Sequence, residues 1–255
     1  MSLLVRARDD RKGTPGITEL SRARAPIDPA VCYLKKWGRV VVIPTRALAN
    51  IGETYYTNWV GNSKGSGKMK DLNDIQKQLV IGSILGDGHL RGKDEKLFEF
   101  SQTERRLFYV KWKHDMLKNI ASPIYRFERG PSQWAYKFTT KTNHYFTELY
   151  RVFYRNGRKV VPRQIGKMLT PFSVAVWFMD DGSKSRNSVY FNTQAFSISE
   201  QMMLVKALKR FYVIANVNKD KEWFRLRVLN RCNENFLKVF GPHILREFLY
   251  KLPTP

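Results

Sequence analysis

The sequence predicts an α+β fold of two like halves related by a pseudo-two-fold axis, with a basic extension in front of them. Three observations carry that reading: a segment order that occurs twice, two apolar helices that each stop on Asp-Gly, and a recurring acid-to-lysine spacing. The helices are DLNDIQKQLVIGSILGDG, from Asp71, and LTPFSVAVWFMDDGS, from Leu169. A strand-like LFEFSQT follows the first and SVYFNTQAF the second. Each half then has an amphipathic helix, ERRLFYVKWKHDMLKNI or SEQMMLVKALKRFY. Next come WAYKFTTKTNHYFTELY and WFRLRVLNRCNENFLKVF, each a Trp-led strand running into a helix, and the halves close with NGRKVVP and FLYKLP. Asp87 stands 72 residues before Lys159, and Asp181 stands 70 before Lys251. A period of around 90 residues is too long for a solenoid repeat, so duplication of a domain explains it better. The expected division is 1–70, 71–162 and 163–255.

The individual elements have local reasons. The first helix opens on N-cap residues and ends at a glycine; in the second, Thr170 can cap, Pro171 suits the first turn and Gly182 terminates. In WFRLRVLN, Phe224, Leu226 and Val228 fall on one face of a strand, and Trp223, Arg225 and Arg227 on the other. Lys137, Thr139 and Lys141 likewise oppose Tyr136, Phe138 and Thr140. Residues 1–70 read differently. GTPG, RARAPIDPA and GNSKGSGK are turn and loop compositions around one strand-like run, GRVVVIP. GNSKGSGK is not a phosphate-binding loop, because Gly61 to Gly67 is one residue too long and Met69 stands where Ser or Thr is needed. This part is expected to be a loop-rich basic extension.

The composition narrows the partners. Of 255 residues, 45 are Lys or Arg and 22 are Asp or Glu, a formal net charge of +23. Charge of that size points to a polyanion, and its interleaving with Trp, Tyr and Phe fits a folded nucleic-acid surface better than a basic tail. Cys32 and Cys232 are far apart and make neither a metal spacing nor a disulfide framework, which points to a reducing compartment. His89, His114, His144 and His243 do not pair at zinc-site spacing. No apolar run reaches the length of about 18 residues that a membrane span needs, and Asp9 and Asp10 argue against a cleaved targeting peptide.

The acids at the helix ends carry the chemistry. A carboxylate at a helix C-terminus is repelled by the dipole, at a cost of about 0.3–1 kcal/mol when exposed and more when buried. One such motif is explained by an exposed Asp-Gly cap; two, at matched spacing and with matched lysines, are not. If the helices pack on the axis, Asp87 and Asp181 meet and require positive charge between them. Hard divalent cations take carboxylate, carbonyl, water and phosphate oxygens, and the Gly86 and Asp180 carbonyls are at hand. A paired-metal site of that kind can activate water and stabilise the leaving oxygen in phosphodiester hydrolysis.

VIGSILGDG (80–88) and VAVWFMDDG (174–182) resemble the two signature helices of the LAGLIDADG homing endonucleases, of the single-chain, two-motif type. The resemblance spans roughly residues 72–253, and TPFSVAVWFMDDGS, NTQAF and YKLP are its most specific parts. Leu85 replaces the first acid of the name motif. Gly82 and Gly86 give the first helix a small face, whereas Val176 and Asp180 are bulkier, so the interface is expected to be asymmetric. The resemblance implies αββαββα-like halves, signature helices at their interface, and curved sheets seated in the DNA major groove. It implies that Asp87 and Asp181 ligate Mg²⁺, with Mn²⁺ as a substitute. Lys159 and Lys251 occupy the family's basic positions in the solvent network around the metals. Gln102 and Gln194 are weaker candidates for that network, since Gln102 shares parity with Phe98 and Phe100 on the buried side. On sheets in the groove, Arg225 and Arg227 suit guanine edges and Lys137 and Lys141 suit phosphates. Arg91, Arg105, Arg106, Asn192 and Trp223 complete the candidate DNA contacts. The expected protein is a monomeric, intron-encoded endonuclease of a mitochondrion or chloroplast, or otherwise intracellular, cutting each strand once at a long asymmetric site. The alternative is a maturase binding its own intron RNA; a DNA-binding regulator on the same scaffold is a third reading.

Overall fold

The computed structural model describes residues 31–36, 39–44 and 72–253. Strands β1 (Val31–Lys36) and β2 (Arg39–Pro44) form an antiparallel hairpin with Lys36 opposite Arg39. β2 is the strand-like run predicted from sequence; β1 was missed. The rest of the basic extension, including GNSKGSGK, lies outside the described residues. From residue 72 the chain passes twice through the order αββαββα. The first pass is α1 (Asp74–Leu85), β3 (His89–Arg91), β4 (Leu97–Thr103), α2 (Leu107–Met116), β5 (Tyr125–Gly130), β6 (Gln133–Thr139) and α3 (His144–Phe153). A hairpin, β7 (Tyr154–Arg155) with β8 (Arg158–Lys159), and the short α4 (Ile165–Met168) join it to the second. That pass is α5 (Pro171–Asp181), β9 (Gly182–Ser185), β10 (Ser188–Phe191), α6 (Ile198–Leu208), β11 (Ala215–Asp220), β12 (Trp223–Val228) and α7 (Asn233–Phe240). Two antiparallel four-stranded sheets result, β3-β4-β6-β5 and β9-β10-β12-β11, with the same connectivity.

Both leading helices start with reciprocal caps. The Asn73 side chain accepts the Gln76 N–H at 2.9 Å while Gln76 Oε1 accepts the Asn73 N–H at 3.1 Å. Thr170 and Ser173 make the same exchange at the start of α5. Each box satisfies backbone donors that the first helical turn leaves over. Beyond the caps both helices are buried on every side and mostly apolar. Gln78 to Leu85 and Ser173 to Asp180 are buried without interruption, the signature of an interior helix.

The two helices touch backbone to backbone. A Cβ added at Gly82 would lie 2.3 Å from the Ser173 carbonyl oxygen and 2.8 Å from Val176 Cβ; one added at Gly86 would lie 2.4 Å from Asp180 Cβ. The small face of α1 therefore meets the larger residues of α5, the asymmetric contact that the sequence predicted.

Two elements are shorter than the sequence implied. Glu104–Arg106 is a 3₁₀ turn, and α2 ends at Met116. The strand expected over 188–196 stops at Phe191. Gln201 on α6 donates to the Thr193 and Phe196 carbonyls, each at 3.1 Å, and Thr193 Oγ1 donates to Gln201 Oε1 at 3.0 Å. Those side-chain bonds occupy backbone groups that a continuing strand would need. Cys232 is free and buried. Among the described residues no helix is long and apolar enough to cross a membrane.

Gly82→Ala should be destabilising by about 1–3 kcal/mol, because its methyl meets fixed backbone rather than a movable side chain. Gly130→Ala, with open space around it, should stay within about 0.5 kcal/mol of wild type. Urea unfolding of both variants measures the difference.

Candidate active site

The last turns of α1 and α5 present two carboxylates at one end of the packed pair. α1 closes at Leu85, where the Gly86 and Gly88 N–H groups both donate to the Ser83 carbonyl, at 3.0 and 2.7 Å. Asp87 emerges from that closure. α5 runs on to Asp181 itself. Burial first, then the negative charges of Asp87 and Asp180, push the Asp181 carboxyl up to about 7, with Lys159 and Lys251 opposing the shift. Burial and two neighbouring acids thus outweigh the two lysines at this carboxyl.

The matched lysines approach from the ends of the two halves. Lys159, on β8, donates to the Gly86 carbonyl at 2.7 Å. Lys251, at the end of the 3₁₀ segment Arg246–Lys251, donates to the Met179 carbonyl at 2.7 Å and the Asp180 carbonyl at 3.4 Å. Each ammonium therefore caps the carbonyls at a helix C-terminus. Burial lowers both lysines to about 8, against the pull of the acids. The Gly86 and Asp180 carbonyls, expected from sequence as metal ligands, carry these lysine hydrogen bonds.

The two glutamines part company. Gln102 Nε2 donates to Asp87 Oδ2. The β4–β6 ladder is regular, with Phe100 opposite Phe138 and Gln102 opposite Tyr136. Gln102 therefore does share the buried side with Phe98 and Phe100, and that is the side on which Asp87 lies; parity was no argument against it. Gln194 lies in the turn after β10 and donates to Asp220 Oδ2 at 3.2 Å, not to either site carboxylate.

Asp180 faces inward, and sequence reasoning missed its partners. Lys113 Nζ lies 2.8 and 3.0 Å from the two Asp180 oxygens, and the Tyr109 hydroxyl donates to Asp180 Oδ1 at 2.6 Å. Asp180 Oδ2 also accepts the Asp87 N–H at 3.2 Å. The side chains of Lys113 and Asp180 are both fully buried. Burial drives Asp180 up and Lys113 down, and their pairing opposes both shifts. A signal was present: Tyr109, Val110, Lys113 and Leu117 form one helical stripe, and three of those four are hydrophobic.

The candidate DNA contacts spread over the sheets and their ends. Arg91 forms an ion pair with Glu99 at 2.8 Å, and Lys137 reaches the same carboxylate at 3.6 Å. Arg225 lies 3.4 Å from Asp220 and stacks over Tyr190; Arg227 donates to Ser188 Oγ. The Asn192 N–H donates to the Asp181 carbonyl at 2.9 Å. Arg105 is exposed, Lys141 is exposed just past the end of β6, and Trp223 is 60% exposed. Arg106 takes a different place: with Asp181, Gly182, Lys184, Asn192 and Lys251 it lines a depression of about 360 Å³.

The donor set fits a hard cation in part. Among the described residues no three Asp, Glu, His or Cys side chains form a metal cluster, so Asp87 and Asp181 would supply only part of a coordination sphere. The remainder would fall to backbone oxygen, water and phosphate, the partners that such cations accept.

A model of the LAGLIDADG DNA endonuclease family matches residues 77–236, more than half of the chain and inclusive of both acid-bearing helix ends. The chain belongs to the LAGLIDADG DNA endonuclease family. Its relatives include the cytochrome b mRNA maturase bI2 of Saccharomyces cerevisiae, 28% identical over an alignment of 203 residues that covers 71% of this chain and 48% of that protein. The chain thus spans about half the length of that relative. A probable intron-encoded endonuclease 1 of Wickerhamomyces canadensis is 26% identical over 71% of this chain and 85% of its own. Among solved structures, the homing endonuclease I-WcaI bound to its DNA recognition sequence superposes with a TM-score of 0.68 at 23% identity. The match covers 78% of this chain and 97% of that one, and shows that the LAGLIDADG fold is shared.

The crowded acids give a measurable pH dependence in this LAGLIDADG protein. Asp181 moves from 3.8 to about 7 on folding, so between those values the native state holds a proton that the unfolded chain releases. Through this group, stability without metal falls as pH rises across that window and is fully lowered above it. Asp181→Asn should therefore be more stable than wild type at pH 8 by on the order of 2 kcal/mol, with the gap closing towards pH 4. Urea unfolding in EDTA across that range tests it.

Proposed function

We propose that the chain is a site-specific double-strand DNA endonuclease that acts as a monomer and hydrolyses one phosphodiester in each strand of a long, asymmetric target. The observation that carries the proposal is the pair of acids at the joined ends of α1 and α5, where Gln102 is seated on Asp87 and two lysines cap the last carbonyls. A divalent cation and a scissile phosphate would complete the charge balance there. We assign Asp87 and Asp181 as ligands, with the neighbouring Gly86 and Asp180 carbonyls as further oxygens. Mg²⁺ is the expected ion and Mn²⁺ a substitute; bound there, it would supply Lewis acidity and a more acidic water.

The chain's own groups have separable tasks. Gln102 fixes the orientation of the Asp87 carboxylate through its amide N–H. Lys159 and Lys251 keep ammonium charge at the two helix ends, where negative charge grows on the phosphate during hydrolysis. With values near 8 they are largely protonated at neutral pH. Arg91, Arg225 and Arg227 lie on the sheets, oriented by Glu99, Asp220 and Ser188, and supply base or phosphate contacts. Lys137, Lys141, Arg105, Arg106, Asn192 and Trp223 extend that surface, while Gln194 is left with a supporting role at Asp220. The division into 71–162 and 163–255 assigns one such sheet to each half.

A maturase function on intron RNA is the second reading, favoured by the sequence similarity to the yeast bI2 maturase and by a net charge of +23. Phosphate contacts serve either polymer. Encoding within an organellar intron suits both. Asp87→Asn separates them. DNA cleavage with Mg²⁺ should fall roughly 10²–10³-fold, with target binding in Ca²⁺ essentially unchanged, and RNA splicing activity should survive. Retention of cleavage would remove Asp87 from the chemistry, and failure of the wild type in unbiased target selection would remove the nuclease reading.

A further inference from the structure

The inward-facing carboxylate beside the site has no part in the chemistry above, yet it touches the backbone of a residue that does. Asp180 is buried, its side chain completely so, and it belongs to α5 of the second half. Three groups converge on it through four hydrogen bonds: Lys113 Nζ on both oxygens, the Tyr109 hydroxyl on Oδ1, and the Asp87 N–H on Oδ2. Lys113 and Tyr109 come from α2 and Asp87 from the end of α1, both in the first half. Lys113 is itself fixed by Ser83 Oγ at 2.8 Å, while Ser83 donates its proton to the Leu79 carbonyl at 2.8 Å. The ammonium also lies 3.7 Å from the Phe100 ring centre and 4.6 Å from that of Tyr109. Every hydrogen-bonding direction of the ion pair is therefore used inside the protein.

We propose that Asp180, neutralised and held by Lys113, is a positioning residue for Asp87: it accepts the Asp87 N–H across the interface and so fixes where that carboxylate points. Gly86 makes this approach possible, because any side chain there would collide with Asp180 Cβ. The N–H of Asp87 lies past the last turn of α1, and Asp180 stands in for the carbonyl that a longer helix would have offered. Asp181 needs no such device, since it lies within α5. The proposal rests on the nuclease reading for its catalytic consequence, but its geometric content does not.

Removing either charge alone would leave the other buried and unpaired, which is strongly destabilising, whereas replacing both members with groups of similar shape is often tolerated. Two paired variants therefore make the test. Lys113→Met with Asp180→Leu preserves shape and removes the acceptor. Lys113→Met with Asp180→Asn removes both charges and keeps an amide oxygen for the Asp87 N–H. Should the Leu pair not fold, Asp180→Ala with Lys113→Met takes its place. The first measurement is hydrogen exchange at the Asp87 amide in the metal-free protein. Exchange should quicken at least tenfold in the Leu pair and stay within about threefold of wild type in the Asn pair. The second is single-turnover cleavage of target DNA, with binding in Ca²⁺ as reference. Cleavage should slow at least tenfold in the Leu pair at unchanged affinity and be largely kept in the Asn pair. Wild-type exchange or wild-type cleavage in the Leu pair would overturn the proposal, as would equal losses in the two pairs. If wild-type protein cleaves nothing, the nuclease reading fails, and the exchange measurement still decides whether Asp180 holds Asp87.

Discussion

The contact between α1 and α5 sets the terms for the rest of the structure. With glycine at 82 and 86 the helices approach until side-chain atoms of one meet backbone of the other. That approach brings two helix C-termini side by side, each with a negative dipole end and an acid at or just past it. The arrangement is electrostatically unfavourable in itself. It persists because burial of two apolar helices stabilises the interface, and because three lysines reach the acids: Lys159 and Lys251 on the last-turn carbonyls, and Lys113 from within. The remaining imbalance is expressed in Asp181, the carboxyl that burial and its neighbours hold near neutrality.

The basic surface follows a different logic. Arg91 and Lys137 share Glu99, and Arg225 shares Asp220 with Gln194. Such partly exposed pairs contribute little to stability. Their effect is on direction: a guanidinium held by one carboxylate presents its remaining N–H groups in a fixed plane, which is what bidentate recognition of a base edge requires. The acids among so many cations thus order the surface without removing its attraction for a polyanion.

Much of this was legible in the sequence because the cues were local and occurred twice. Asn73 and Thr170 announce helix starts, Gly82 and Gly86 a close face, and the spacing of Asp87 to Lys159 and Asp181 to Lys251 a repeated site. What escaped depends on contacts between distant segments. Lys113 reads as one more cation in a basic helix until Asp180, 67 residues later, is seen against it. Gln194 looked like the counterpart of Gln102, but Gln201 draws the chain into a turn at Thr193 and sends the side chain to Asp220. Gln102 was doubted on a strand parity that was right, yet the buried side is also the side on which Asp87 lies. β1 escaped because its Lys35 and Lys36 interrupt the apolar pattern.

The departure from symmetry is a consequence of the close packing rather than drift around it. Two glycines facing each other at 86 and 180 would leave a void where the helices part, and two larger residues would hold them apart. One glycine opposite one aspartate fills the space, but it buries a charge at the centre of the molecule. A cation must then come from one side only, and α2 supplies it, with aromatic faces and a serine around the ammonium. Asp87 acquires an anchor for its N–H across the interface, whereas Asp181 is held within α5 and by the Asn192 N–H on its carbonyl. The duplicated unit therefore yields two carboxylates that share a field but differ in what holds each. That difference matches the differing glutamines, one seated on Asp87 and the other turned away from the site. A protein built in this way positions its two acids by different means, a difference that follows from volume and charge at a single contact.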